Sequence, residues 1–143
     1  MKLVVVMVGL PARGKSYIAS KIRTYLNWLG SPCKVFNVGS YRRKLCGASK
    51  PACFFDPHNA VAEGERMRAA KAALDDMIGW MMMKENCVAI YDATNSTFER
   101  RRWILENLEP ITTLIFIESI CNDINVRSFV YLPNRSLGET SKR

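Results

Sequence analysis

Gly9-Leu10-Pro11-Ala12-Arg13-Gly14-Lys15-Ser16 has the spacing G-x-x-x-x-G-K-S. It follows the apolar run Leu3-Val4-Val5-Val6-Met7-Val8 and precedes a helix-like segment, the context that turns a short pattern into a phosphate-binding loop. The glycines let successive backbone N–H groups wrap a polyphosphate. Lys15 would reach the β- and γ-phosphates, and the Ser16 hydroxyl would sit on Mg²⁺. The helix opening at Lys15 adds the positive end of its dipole. A glycine turn that merely closes a βα unit is the plainer alternative. The agreement of strand, loop and helix argues against it.

Cys87-Val88-Ala89-Ile90-Tyr91-Asp92 is an apolar strand ending in a carboxylate. Beside a phosphate loop, an acid at that place completes the magnesium shell with Ser16 or accepts the proton of an attacking hydroxyl. Thr97 and Glu99, with the arginines that follow, read as a helix N-terminus turned towards the same crevice. Phosphoryl transfer asks for positioning and charge neutralisation more than covalent chemistry. Arg42, Arg66 and Arg100 are therefore candidate clamps for a second phosphate, because guanidinium forks match its oxygens.

These residues need a scaffold. Residues 2–8, 33–38, 87–92 and 113–118 read as buried parallel strands, short and rich in Val, Ile or Phe. Residues 15–29, 60–84 and 98–108 carry helical patterns, with Gly30, Pro32 and Pro110 as stops. The alternation predicts an α/β fold of the P-loop NTPase type: three layers, a parallel sheet with helices on both faces. Residues 47–59 read as irregular, punctuated by Pro51 and Pro57. Trp28, Trp80 and Trp103 fall in helices and read as packing residues. Met81-Met82-Met83 reads as core and helix end. The domain division is 1–123 for the kinase-like part and 124–143 for a polar, basic tail, within which residues 128–132 could form a short strand.

The bulk properties agree with one globular domain. The chain has 143 residues, 48% apolar and 24% charged. No apolar stretch reaches the length of a membrane span. Met1-Lys2 leads straight into the first strand, so the reading expects no signal peptide and a cytoplasmic location. Five cysteines, odd in number and without C-x-x-C spacing, read as reduced thiols. His58 stands alone and cannot build a metal site. A formal charge of +8 suits anionic partners, either nucleic acid or phosphorylated small molecules. The basic runs at 41–44 and 100–102 follow strand ends, where α/β folds place their ligands.

Together with the loop, Tyr25-Leu26-Asn27-Trp28-Leu29-Gly30, Lys34-Val35-Phe36-Asn37-Val38-Gly39, Tyr41-Arg42-Arg43, Asp92-Ala93-Thr94-Asn95 and Glu118-Ser119-Ile120-Cys121-Asn122-Asp123 occur in order. Over residues 2–123 the chain closely resembles the kinase domain of the 6-phosphofructo-2-kinase/fructose-2,6-bisphosphatase family. The resemblance implies transfer of phosphate from ATP to fructose 6-phosphate, giving fructose 2,6-bisphosphate and ADP. By that resemblance Gly9 to Tyr17 bind ATP, Lys15 and Ser16 serve ATP and Mg²⁺, and Asp92 is the active-site acid. Arg42, Arg66, Thr94 and Arg100 match positions that hold the sugar phosphate, with Arg68 the alternative to Arg66. Cys121 matches a cysteine near the active site.

Phe98 stands where family members commonly carry an arginine. After Asp123 the family's Asn-x-x-x-Val-Lys stretch is not recognisable, nor is the Arg-His-Gly motif of the phosphatase domain. The reading therefore leaves open a weakened kinase, or a non-catalytic nucleotide-binding fragment that pairs with a full-length homologue or with itself. A polynucleotide-kinase-like enzyme is a third reading. It is disfavoured because the aromatic residues are not interleaved with a basic strip.

Overall fold

β1 (Lys2–Val8) runs through the middle of a four-stranded parallel sheet, between β3 (Cys87–Asp92) and β4 (Thr113–Glu118). β2 (Cys33–Asn37) lies on the far side of β3. A strand covered on both faces carries apolar side chains in succession, not alternately. Accordingly Val4 to Val8 and every residue of β3 are buried. A computed structural model describes residues 1–56 and 58–123, so the tail 124–143 and the strand expected within it lie outside the described residues.

Successive side chains of β1 feed two different cores. Val4 and Val6 pack with Leu74 and Met77 of α3 (Ala60–Met82) and with Ile104 and Leu108 of α4 (Phe98–Leu108). Val5 and Met7 face Ala19 and Ile22 of α1 (Lys15–Trp28). Burying a side chain such as Leu74 or Met77 contributes about 1.5–3 kcal/mol, which fixes α3 to the sheet.

The strand order β2-β3-β1-β4 explains the layering. The step from β1 to β2 crosses the sheet one way, and the steps from β2 to β3 to β4 cross it the other way. Right-handed crossovers then put α1 on one face and α3 with α4 on the opposite face. This is the expected three-layer P-loop fold. The direction of winding reverses between β1 and β3, which leaves a crevice at their carboxyl ends.

Side-chain caps set where helices begin. Asn59 accepts from Ala62 N at 3.1 Å to start α3, and Thr97 accepts from Arg100 N at 3.3 Å to start α4. The stretch expected to be irregular holds a 3-10 turn at Ala52–Phe55.

Three expectations are corrected. Val38 opens a helix, α2 (Val38–Cys46), instead of ending β2, because Asn37 caps it. Among the described residues β4 is an edge strand and is not buried: Ile115 is 46% and Phe116 36% exposed. Trp28 is 79% exposed at the solvent end of α1 with its ring near that of Tyr25, whereas Trp80 and Trp103 do pack against the core. Of the methionine run, Met81 is buried, while Met82 and Met83 are exposed at the helix end. No disulfide joins any of the five cysteines.

Candidate active site

The loop after β1 carries three residues in the left-handed region: Gly9 at φ +144°, Ala12 at +60° and Gly14 at +81°. Such residues bend a chain so that its N–H groups converge on an anion. Ala12 pays strain that glycine would not, a feature that collects at ligand sites. The loop is tied at both ends. Gly9 N donates to Thr94 O at 2.9 Å, and Ser119 N donates to Val8 O at 2.8 Å. The Ser119 hydroxyl also donates to the Arg13 carbonyl. Among the described residues, Arg13 NH1 is buried with no hydrogen-bond partner. An unmatched buried donor costs about 1–3 kcal/mol, which an anion in the loop would recover.

Lys15 opens α1 and is only 8% exposed. Its ammonium donates to the Leu10 carbonyl at 2.7 Å. Burial pulls its pKa down; the Asp92 carboxylate opposes that shift, and the Arg13 charge adds to it.

Asp92 ends β3, pairs in register with Met7 on β1, and is 2% exposed. Ser16 Oγ donates to its Oδ2 at 2.6 Å, and Asn37 Nδ2 donates to the same oxygen at 2.7 Å. A cleft of about 430 Å³ opens beside this pair, lined in part by Asn37, Ser40, Arg23 and Arg43. The donor set suits a hard cation held through few protein ligands. No group of three or more His, Cys, Asp or Glu side chains that could hold a metal occurs among the described residues. Magnesium, which keeps several waters and binds through one or two carboxylates plus phosphate, fits that set.

The arginines gather on the α3 side. Phe54, 5% exposed, has Arg42 at 5.7 Å and Arg66 at 5.9 Å from its ring centre, with Lys50 at 5.1 Å. Arg66 NH1 donates to the Phe54 carbonyl. Arg100 lies between the Met67 sulfur, 3.3 Å from NH1, and the Trp103 ring at 5.4 Å. Burial lowers the pKa of Arg100. The nearby Tyr91 raises it, Arg66 lowers it further, and Glu63 raises it. Two guanidinium groups that feel one another in a partly buried setting favour an anion between them. Arg68 is exposed on α3, so Arg66 is the one turned to this cluster.

Other expected residues take different places. Thr94 is exposed and serves the loop through its carbonyl. Cys121 is half-buried beyond the end of β4. Tyr17 is 68% exposed beneath the Lys21 ammonium. Leu10 and Pro11 are exposed at the loop's crest. Leu10 and Phe98 also line a second cavity of about 800 Å³ with Leu105 and Phe116. Arg101 is structural: it donates to the carbonyls of Asn95 at 3.0 Å and Ser96 at 2.8 Å.

Three residues absent from the sequence reading of the site belong to it: Asn37, Ser119 and Asn95. Asn95 donates to the Met7 carbonyl at 2.9 Å while holding φ +46°. Each sits at or just after a strand's carboxyl end, a signal the sequence did carry.

Residues 1–129 match the 6-phosphofructo-2-kinase family. The chain belongs to the 6-phosphofructo-2-kinase family. It is 50% identical over 125 residues to a probable 6-phosphofructo-2-kinase of Schizosaccharomyces pombe, covering 85% of this chain and 19% of that protein. It is 51% identical over 120 residues to human 6-phosphofructo-2-kinase/fructose-2,6-bisphosphatase 1, covering 83% of this chain and 25% of that protein. The chain thus spans a quarter or less of the length of these family members. In fold it is similar to a Mycobacterium tuberculosis APS kinase, with a TM-score of 0.55 at 15% identity, over 82% of this chain and 75% of that one.

Proposed function

We propose that this 6-phosphofructo-2-kinase family chain transfers the γ-phosphoryl group of ATP to fructose 6-phosphate, yielding fructose 2,6-bisphosphate and ADP. The observation that carries the reading is the Ser16–Asp92 contact of 2.6 Å beneath the tied phosphate loop. The sugar 2-hydroxyl oxygen forms the new O–P bond, the bond from Pγ to the β,γ-bridging oxygen breaks, and the hydroxyl proton passes to the Asp92 carboxylate. Both donors to Asp92 fall on Oδ2, so among the described residues Oδ1 takes no hydrogen bond.

The loop N–H groups, Arg13 and Lys15 hold the phosphates. The Lys15 ammonium exchanges the Leu10 carbonyl for phosphate oxygens and stabilises charge as it develops. Ser16 and Asp92 would hold Mg²⁺, which would supply neutralisation of phosphate charge. Arg42, Arg66 and Arg100 clamp the sugar's 6-phosphate, and Thr94 and Cys121 border the acceptor. This division of labour supplies orientation, the largest demand of the reaction.

The reading also places the protein in the cytoplasm, which its lack of disulfides supports. No described helix is long and apolar enough to cross a membrane.

A coupled ADP-release assay with and without fructose 6-phosphate tests the activity. Sugar-dependent turnover that Lys15→Met lowers at least about 100-fold supports it. Magnesium–ATP binding without turnover instead supports a binding-only role, and phosphorylation of a 5′-hydroxyl oligonucleotide a polynucleotide substrate.

A further inference from the structure

Asn37 closes β2 and caps α2, and its planar amide is used at both ends. Oδ1 accepts from Ser40 N at 3.0 Å, which holds the first turn of the helix that carries Arg42. Nδ2 donates to Asp92 Oδ2 at 2.7 Å and lies 3.4 Å from Ser16 Oγ. The strand register places Asn37 directly beside Asp92, so the short bond follows from the pairing of β2 with β3. Gly39 keeps the space open: a Cβ there would sit 3.0 Å from Asn37 Oδ1.

Two demands meet at this position. The helix start needs a side-chain acceptor, and the carboxylate needs a donor. Asparagine supplies both from one rigid group. Aspartate could cap but not donate. Serine and threonine could cap, but their hydroxyl stands one atom too short to serve Asp92 at the same time.

We infer that Asn37 is a positioning residue for the metal-binding pair, fixing the plane of the Asp92 carboxylate and the rotor of Ser16 through its amide. This rests on the reading of Ser16 and Asp92 as magnesium ligands. Outer groups that orient metal ligands cost about 10–100-fold in metal affinity when removed. With both donors on Oδ2, rotation of the carboxylate must break one or both of these bonds.

The test is calorimetric ATP binding by the full chain, with magnesium and with EDTA. The readout is the gain in affinity that magnesium gives. Asn37→Ser keeps a good cap and removes the donor. It is expected to shrink the magnesium gain about 10-fold while leaving magnesium-free ATP affinity close to that of the unsubstituted chain. Asn37→Thr repeats the test should the serine variant fold poorly. A magnesium gain unchanged in a folded variant overturns the inference, as does an equal loss with and without magnesium, which marks a merely structural residue. Absence of ATP binding by the unsubstituted chain overturns the phosphate-loop reading itself, and the inference with it.

Discussion

Gly9→Ala should be far more damaging than Gly14→Ala, although both glycines lie in the same loop at positive φ. Gly9 has φ +144°, and a Cβ built on it would lie 2.6 Å from the Ser119 carbonyl oxygen. That oxygen is backbone, and Ser119 is held by bonds to Val8 O and the Arg13 carbonyl, so it has little room to retreat. The backbone strain costs about 1–3 kcal/mol. The clash adds about 1–3 kcal/mol. Gly14 has φ +81° with nothing within 4 Å of its Cβ, so it carries strain alone, about 1–2 kcal/mol. Thermal unfolding followed by tryptophan fluorescence measures the difference, with Trp80 and Trp103 against the core as reporters. At about 3 °C per kcal/mol for a chain of this size, Gly9→Ala should melt roughly 6–18 °C lower. It should also weaken ATP, because relief of the clash must move the loop or Ser119. Equal losses at the two glycines would refute the claim that the end of β4 clamps the loop. No loss at Gly9 would refute the claim that the loop is held at all.

Arg66→Ala removes one of the guanidinium groups around Phe54 and should raise the KM for fructose 6-phosphate about 10–100-fold, the worth of a charge-assisted hydrogen bond, while calorimetric magnesium–ATP affinity stays unchanged. The exposed Arg68→Ala should change neither. Stability should fall as the solution turns alkaline. Burial pushes the Cys33 thiol from 9.0 up to about 11, and burial together with the Asp76 hydrogen bond pushes the Tyr41 phenol from 10.0 up to about 12. Both groups keep their proton longer when folded than when unfolded, so their contribution is whole below pH 9 and is lost between about pH 9 and 12. Urea midpoints at pH 8, 10 and 11 should drop in that order, and Tyr41→Phe should flatten the upper part of the drop.

What the sequence made legible was what depends on neighbours along the chain. β1, β3, α4 and the start of α1 lie where apolar runs, the Thr97 cap and the loop glycines put them. α2 was hidden because Val38, Gly39 and Ser40 are poor helix formers directly after a strand. They form a helix because Asn37 caps it and Tyr41 packs against the α3 core. The exposure of β4 was hidden for a different reason. An apolar strand reads the same at an edge as in the middle, and only the order of strands decides which it is. The site divides along the same line. Gly9 to Ser16 announce themselves because one loop does the work. Asn37 and Ser119 act through the register of β2 on β3 and of β4 on β1, which no local pattern contains. Candidate ligand residues can thus be proposed from spacing, whereas residues that hold them in place emerge only when the strands are laid side by side. Asn37 shows why this matters: its amide ties the helix of Arg42 to the carboxylate of Asp92, so α2 and the end of β3 are held together by one side chain.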